Sequence, residues 1–388
     1  MRNKLLTFLL CALLPVASFA QSPAVKSDHP DRYTVVKGDT LWDISARFLR
    51  EPWRWPEIWE VNPQIDNPHL IYPGDVVYLT YRDGRPVLSV NRDGRTGAGG
   101  SRTVKLSPEI RSSASDRAIP SIPVEYIRPF LSQQRVVSEN EMADWPYVVS
   151  SYDQRLVAAT GNKIYVRGLD EAETATDYTI YRQGPAYVLP SDADDYDRSP
   201  VVQSKYNYRE IEGEILGYQA LYVGEAEVVR SGDPASAIIT DSEREIRVGD
   251  RLVPQTEQSG LGGDFIPSEP DESIDGRIVS VIDGVSEIGN YQVVVISAGT
   301  NQGLESGNVL AVYQSGEVVR DKVPARTASR NNPYLEYFGA PKTRGERVVL
   351  PEEFAGVIVV FRTFEKVSYA LVMDTERPIH IYDTVTNP

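Results

Sequence analysis

The feature that most constrains the fold is a segment that occurs twice. Ala237 to Leu252 (AIITDSEREIRVGDRL) aligns without a gap on Ala370 to Val385 (ALVMDTERPIHIYDTV), with six identical positions and apolar residues kept apolar. Upstream, Tyr181-Arg182-Gln183-Gly184 matches Tyr313-Gln314-Ser315-Gly316 at nearly the same offset. Two copies are too few for a solenoid, in which each repeat borrows its core from its neighbours, so each copy needs a core of its own. The expectation is two tandem, related, mostly β domains, each a small barrel or sandwich, over about 145–254 and 274–388.

The surrounding pattern agrees. Tyr147-Val148-Val149, Leu156 to Ala159, Ile164-Tyr165-Val166 and Tyr178 to Tyr181 are short Val/Tyr-rich runs, separated by turn pairs such as Gly161-Asn162 and Gln183-Gly184. The same grammar returns at Arg277 to Ile282, Tyr291 to Ile296, Val309 to Tyr313, Gly356 to Arg362 and Tyr369 to Met373. Short helices are predicted at Val124 to Leu131 and Glu139 to Ala143. Because Asp241/Asp374, Arg244/Arg377 and Asp250/Asp383 recur at strand ends, they read as turn and ion-pair residues and not as a catalytic set.

Near the N-terminus, Tyr33 to Leu79 forms a separate unit. Tyr33 and Val35 alternate with polar neighbours as a strand does, Gly38 permits a turn, and Asp39 or Thr40 can cap a helix. Leu41, Ile44 and Phe48 then share one helical face. A second helix is predicted from Pro56 to about Val61, stopped by Asn62-Pro63, followed by a closing strand, Val76 to Leu79. Trp42, Trp53, Trp55 and Trp59, four of the five tryptophans, lie here. Trp42 and Trp59 fall within helices and read as core, whereas Trp53 and Trp55 are the candidates for an exposed aromatic surface.

The motifs VVKGDTLWDIS, WPEIWEVNP and NPHLIYPGDVVYL, in that order, closely resemble the LysM carbohydrate-binding module. The resemblance implies a βααβ fold and binding to N-acetylated glycans such as peptidoglycan. It assigns the groove to Gly38, Asp39, Thr40 and Leu41 on one side and to Asp66, Asn67, Pro68, His69, Leu70 and Ile71 on the other. Neutral sugars require directed polar contacts, which backbone groups of two fixed loops supply. The competing reading is that Gly38, Asp39 and Thr40 only build a capped turn. Leu49 to Trp55 is longer than the usual link between the two helices.

Composition bounds the rest. Arg2 and Lys4, the apolar run Leu5 to Val16, and Ser18-Phe19-Ala20 form the three parts of a secretory signal, predicting cleavage after Ala20 and a periplasmic product with no membrane span. Cys11 is the only cysteine, lies inside that run and follows Leu10 where a lipoprotein signal needs a small residue. The net charge of −15 becomes −17 once Arg2 and Lys4 are removed, which argues against nucleic acid as a partner. With only His29, His69 and His380, and no cysteine after cleavage, zinc and thiol hydrolases lack their residues. No catalytic residue, metal or cofactor is assigned. Ser191-Asp192-Ala193-Asp194-Asp195-Tyr196-Asp197 reads as a solvated acidic loop. Residues 82–121 read as a flexible Gly/Ser-rich linker, placing the first β domain at 122–254, and 255–273 as a second linker before the domain at 274–388.

The whole arrangement, including IGNYQVVVISAGTNQGLESGNVLAVY and FRTFEKVSYALVM in the β region, resembles the type IV pilus secretin-associated protein family, whose C-terminal part is similar to a domain of a flagellar-rotor-associated protein. That resemblance implies a periplasmic anchor with two partners, peptidoglycan glycan strands and the outer-membrane secretin ring. The acidic loop near Asp195 and the loop Asn331 to Gly345 depart from the family pattern. The alternative is a wall-targeted peptidoglycan hydrolase with its active site in the β region, since a two-carboxylate site needs only Asp or Glu.

Overall fold

One turn recurs at the entrance to the first helix and to several strands. A residue at left-handed φ, usually glycine, is followed by an Asp or Asn whose side chain accepts from the backbone N–H three residues back. Val36 to Asp39 has Gly38 at φ 98° and Val36 N–H to Asp39 Oδ2 at 2.8 Å; Tyr72 to Asp75 has Gly74 at φ 98° and Tyr72 N–H to Asp75 Oδ2 at 3.1 Å. The turns Ala159 to Asn162, Arg247 to Asp250, Glu305 to Asn308 and His380 to Asp383 close in the same way at 2.7–3.0 Å. In the last of these, Tyr382 occupies the glycine position at φ 72°, a conformation that costs a bulky residue energy.

The computed structural model describes residues 23–59, 71–91, 119–132, 134–153, 156–170, 173–191, 213–255, 265–282, 287–316, 318–320 and 347–388. The chain divides into two compact units, Met1–Ile119 and Pro120–Pro388.

In the first unit, β1 (Arg32–Thr34), α1 (Leu41–Phe48), α2 (Trp55–Ile58), β2 (Val76–Arg82) and β3 (Arg85–Asn91) form a three-stranded antiparallel sheet, ordered β1-β2-β3, under two helices. Leu41, Ile44 and Phe48 are fully buried, as their spacing requires. The predicted linker at 82–121 is corrected at both ends. Asp83 and Gly84, at φ 50° and 78°, make a tight hairpin that pairs Arg82 with Arg85, and Leu88 and Val90 of β3 enter the core. Ile119 also joins that core and its N–H bonds Ile71 O at 2.8 Å, while Val25 packs against the core from the other end.

The second unit opens with α3 (Val124–Ser132), β4 (Arg135–Val137) and α4 (Glu139–Asp144), then β5 (Tyr147–Ser151), β6 (Val157–Ala158), β7 (Lys163–Arg167), β8 (Asp177–Pro190), β9 (Gly213–Arg230), β10 (Ala235–Ser242), β11 (Ile246–Arg247) and β12 (Arg251–Pro254). Strands β10-β7-β5-β12-β8-β9 lie in sequence, β9 pairs back onto β10, and β4 adds to the outside of β9. This is a six-stranded antiparallel barrel with β4 at its flank. Gln183-Gly184, expected as a turn, lies inside β8 at an irregularity in the β8–β9 register, where Gly184 passes close to Gln219 O. The expected turn is therefore a bulge in one long strand.

The second copy contains β13 (Asp275–Ile282), β14 (Val293–Ile296), β15 (Val309–Gln314), β16 (Val318–Arg320), β17 (Arg347–Val349), β18 (Glu353–Thr363), β19 (Ser368–Thr375) and β20 (Thr384–Thr386). Its closed order, β13-β14-β19-β18-β15-β20, is that of the first barrel when β5, β7, β10, β9, β8 and β12 are read as its counterparts. Local detail repeats as well. Gly224 and Gly356 lie where a Cβ would come within 2.4 and 2.3 Å of Asp241 O and Asp374 O. The N–H groups of Glu243 and Arg244 both bond Val223 O, and those of Glu376 and Arg377 both bond Ala355 O. The expected β repeats are thus two six-stranded antiparallel barrels. In both, a long connection joins equivalent strands, β8 to β9 and β15 to β18, and the segments 192–212 and 321–346 within these connections lie outside the described residues.

The two barrels meet within this unit. Arg362 Nη1 donates to Phe130 O and Leu131 O at 2.8 and 3.0 Å, Tyr126 stacks on Tyr291 at 4.9 Å, and the hydroxyls of Tyr187 and Tyr369 lie 3.5 Å apart.

Candidate functional site

The first wall of the predicted groove is the turn and helix start at 36–41. Asp39 accepts from Val36 N–H at 2.8 Å and from the Tyr33 hydroxyl at 3.0 Å. Burial, and then the Asp39 carboxylate, raise the Tyr33 phenol, whose ring lies under Arg47 at 4.2 Å. Thr40 caps α1. Its hydroxyl accepts from Asp43 N–H at 3.1 Å and donates to Asp43 Oδ2 at 2.8 Å, and the Asp43 carboxylate takes Thr40 N–H at 3.2 Å. The side chains of Asp39 and Thr40 are therefore engaged in building the turn, and Val36, Lys37 and Gly38 are its exposed part.

The second wall begins at Ile71. Ile71 is fully buried, as is Leu41, backbone included, so both residues anchor loop ends to the core and neither presents a surface to a ligand. The turn at 72–75 is tied to the first wall, because Val35 N–H donates to Asp75 O at 2.9 Å and Gly74 N–H to Val35 O at 2.8 Å. Two loop ends are thus held side by side on one small core. Asp66, Asn67, Pro68, His69 and Leu70 lie outside the described residues.

The tryptophans are rearranged relative to expectation. Trp55, predicted as exposed, is 1% exposed and is the largest fully buried side chain; Trp42 is buried as expected. The cause is the longer link between the helices. Pro52–Arg54 forms a 3-10 turn, braced by Arg54 bonds to Glu51 at 3.1 Å and Glu57 at 2.6 Å, and it turns Trp55 into the core. Trp53 is half-buried against Trp42, their rings 6.3 Å apart, and Trp59 is half-buried and edge-on to Trp55. The residues that sequence reasoning missed are Leu88, Val90, Val25 and Ile119, which hold this core together.

No helix among the described residues is long and apolar enough to cross a membrane. Among those residues no group of three or more His, Cys, Asp or Glu is arranged to hold a metal ion.

Comparison with known proteins gives one family match and one curated relative. Residues 33–80 match the LysM domain family. Uncharacterized protein YqbP of Bacillus subtilis (strain 168) is 42% identical over 55 residues, which cover 12% of this chain and 25% of the relative. The chain therefore spans about a quarter of the length of the relative it matches. Residues 33–80 carry a LysM domain, which suggests peptidoglycan binding and association with the cell wall.

Proposed function

We propose that this chain is a non-catalytic periplasmic bridge. Its LysM domain holds a peptidoglycan glycan strand between the turn exposed at Gly38, which leads into Leu41, and the facing loop Asp66 to Ile71. Its barrel pair docks on the outer-membrane secretin ring of a type IV pilus machine and aligns it with the wall. The observation that carries the glycan end is the capped turn: with Asp39 and Thr40 bonded internally, the wall they form is rigid and offers main-chain polar groups at fixed positions. The non-catalytic reading is supported by the repeated carboxylates, since Asp250 and Asp383 each hold the N–H of the residue three back in equivalent turns.

The test is a paired pull-down of the mature protein against purified sacculi and against detergent-solubilised outer membrane containing the secretin. Retention on both, with the secretin carried onto sacculi only when the full chain is present, supports the bridge. Capture of sacculi without the secretin overturns the second half of the reading. Release of soluble wall fragments by the purified protein overturns its non-catalytic part in favour of a hydrolase.

A further inference from the structure

The two barrels carry equivalent hairpins, one covered and one open. Beyond the bulge at Gln183-Gly184, β8 and β9 continue as a ribbon that pairs Ala186 with Tyr218, Tyr187 with Gly217 and Val188 with Ile215. Strand β4 adds to the other side of β9 at 218–220, and Tyr187, 3% exposed, meets Tyr369 of the second barrel, with a Glu214–Lys366 ion pair at 2.5 Å. The second barrel repeats this ribbon as β16 and β17, pairing Val318 with Val349, Val319 with Val348 and Arg320 with Arg347. Gly184 and Gly316 mark the same root, each passing against a facing carbonyl, that of Gln219 in the first and of Leu350 in the second. Among the described strands, none adds to β17 where β4 adds to β9. Val348, Val349 and Leu350 are 42%, 68% and 42% exposed, and because successive strand residues face opposite sides, apolar surface lies on both faces of the ribbon. The hairpins also differ in charge: 186–218 holds seven acidic and three basic residues, 318–349 seven basic and three acidic, in a chain of net charge −15.

We propose that the β16–β17 ribbon is the surface by which the barrel pair takes hold of its protein partner, accepting an extended segment along β17 as β9 accepts β4. Under the bridge reading, on which this inference rests, that partner is the secretin. A strand edge offers main-chain donors and acceptors to an incoming strand, and side chains at alternate positions select it. Pro351 has no N–H to offer, so the pairing runs from Leu350 toward Arg347. The segment that fits is apolar, to cover Val348, Val349 and Leu350, and bordered by carboxylates, to complement a hairpin opposite in charge to its counterpart. A second copy of the chain does not supply it through β4, which is already paired with β9.

The test is capture of the secretin from detergent-solubilised outer membrane by the full chain and by two variants: V348T/V349T, which keeps β-branched residues on the ribbon and removes apolar contact, and R347E. In each variant the affinity for the secretin falls about tenfold or more, while the melting temperature and sedimentation with sacculi stay at the parent's values. The gap between R347E and the parent narrows as salt rises, because screening weakens the parent's charge attraction. Capture equal to the parent's in either variant overturns the inference and leaves the bridge standing; failure of the parent itself to capture the secretin overturns the bridge and this surface with it. A lowered melting temperature in V348T/V349T means that the chain itself covers the ribbon. A parent dimer that either variant dissociates means that a second copy covers it, and flotation of the parent with anionic vesicles that the variants lose means a lipid surface. Each of these three results overturns the proposal.

Discussion

Replacing Leu88 by alanine tests whether the glycan module ends at the hairpin or includes it. Leu88 is 0% exposed, lies opposite Leu79 in the β2–β3 register and bridges to Trp59, so its side chain is surrounded on all sides. A buried Leu→Ala change costs about 2–5 kcal/mol, and a domain of this size holds only about 3–5 kcal/mol in total. The substitution should therefore bring residues 23–119 to the edge of unfolding, and a fragment of residues 31–81, which lacks Leu88, Val90, Val25 and Ile119 together, should not fold. Urea unfolding followed by tryptophan fluorescence reads this directly, because four of the five tryptophans lie in the module. Sedimentation with sacculi should fall in parallel although the turn at 38–41 is untouched. A loss under about 0.5 kcal/mol for Leu88→Ala, the size of a change at an unimportant surface site, would refute the reasoning. So would a 31–81 fragment that melts and sediments like 23–119.

Other expectations follow from single contacts. Asp250→Ala should cost about 3–5 kcal/mol, because Arg182, bonded to Asp250 at 2.7 Å with its side chain 26% exposed, loses its partner carboxylate. Asp383→Ala, which removes the acceptor for the N–H groups of His380 and Ser315, should cost at least about 1–3 kcal/mol; a loss under about 0.5 kcal/mol in thermal unfolding would contradict the role of the turn. Burial pushes the Tyr369 phenol up to about 12, above its unfolded value near 10, so stability is intact below about pH 10 and falls by roughly 3 kcal/mol as pH rises toward 12. A pH titration of the urea midpoint should show that fall and its reduction in Tyr369→Phe. Gly38→Val forces a β-branched residue to φ 98° and should weaken sacculus binding with about 1–3 kcal/mol of lost stability, whereas Thr40→Ala should cost about 1 kcal/mol through loss of the cap.

Much of this architecture was legible because it rests on local chemistry. Asp39-Thr40 before an apolar periodic run marks a capped helix, of which the structure makes Thr40 the cap with Asp43 as its partner, and the spacing of Leu41, Ile44 and Phe48 gives its buried face. The duplicated segment fixed the relation between the barrels, down to Asp250 and Asp383 in equivalent turns. What misled was residue type taken without its partner. Asp83-Gly84 reads equally as linker and as hairpin until Val87 to Val90 is seen to alternate, and Gln183-Gly184 is a turn pair in isolation but a bulge beside Gln219. Trp55 looked exposed because a chain insertion normally forms a loop; the Arg54 brace that turns it inward involves two glutamates whose geometry is invisible in one dimension. At the site, the turn residues were found, but not that Leu41 and Ile71 direct their side chains away from any ligand into the core.

The two barrels share a topology but not a surface, and the difference decides which of them can stand alone. In the first, Lys163, Ile238 and Glu227 lie side by side on β7, β10 and β9; the same row in the second is Val293, Leu371 and Val359 on β14, β19 and β18. These three, with Val295, Phe361 and Tyr369, are all at most 3% exposed, yet they are not members of the barrel's interior cluster of Ile278, Val294, Ile296, Leu310, Ile358 and Val372. The second barrel is therefore apolar on an outer face as well as inside. Helix α3 and the β8–β9 hairpin of the first barrel lie against this side through the Arg362 and Tyr369 contacts. Each such side chain left in water forfeits about 1.5–3 kcal/mol, and six on neighbouring strands form the kind of patch that drives association. Residues 265–388 expressed alone should consequently self-associate and bind a hydrophobic dye, whereas 120–388 should be monomeric and melt in one transition. A monomeric 265–388 with an unchanged melting temperature would mean that the outer face tolerates water, and that the barrels are independent beads and not one docking body.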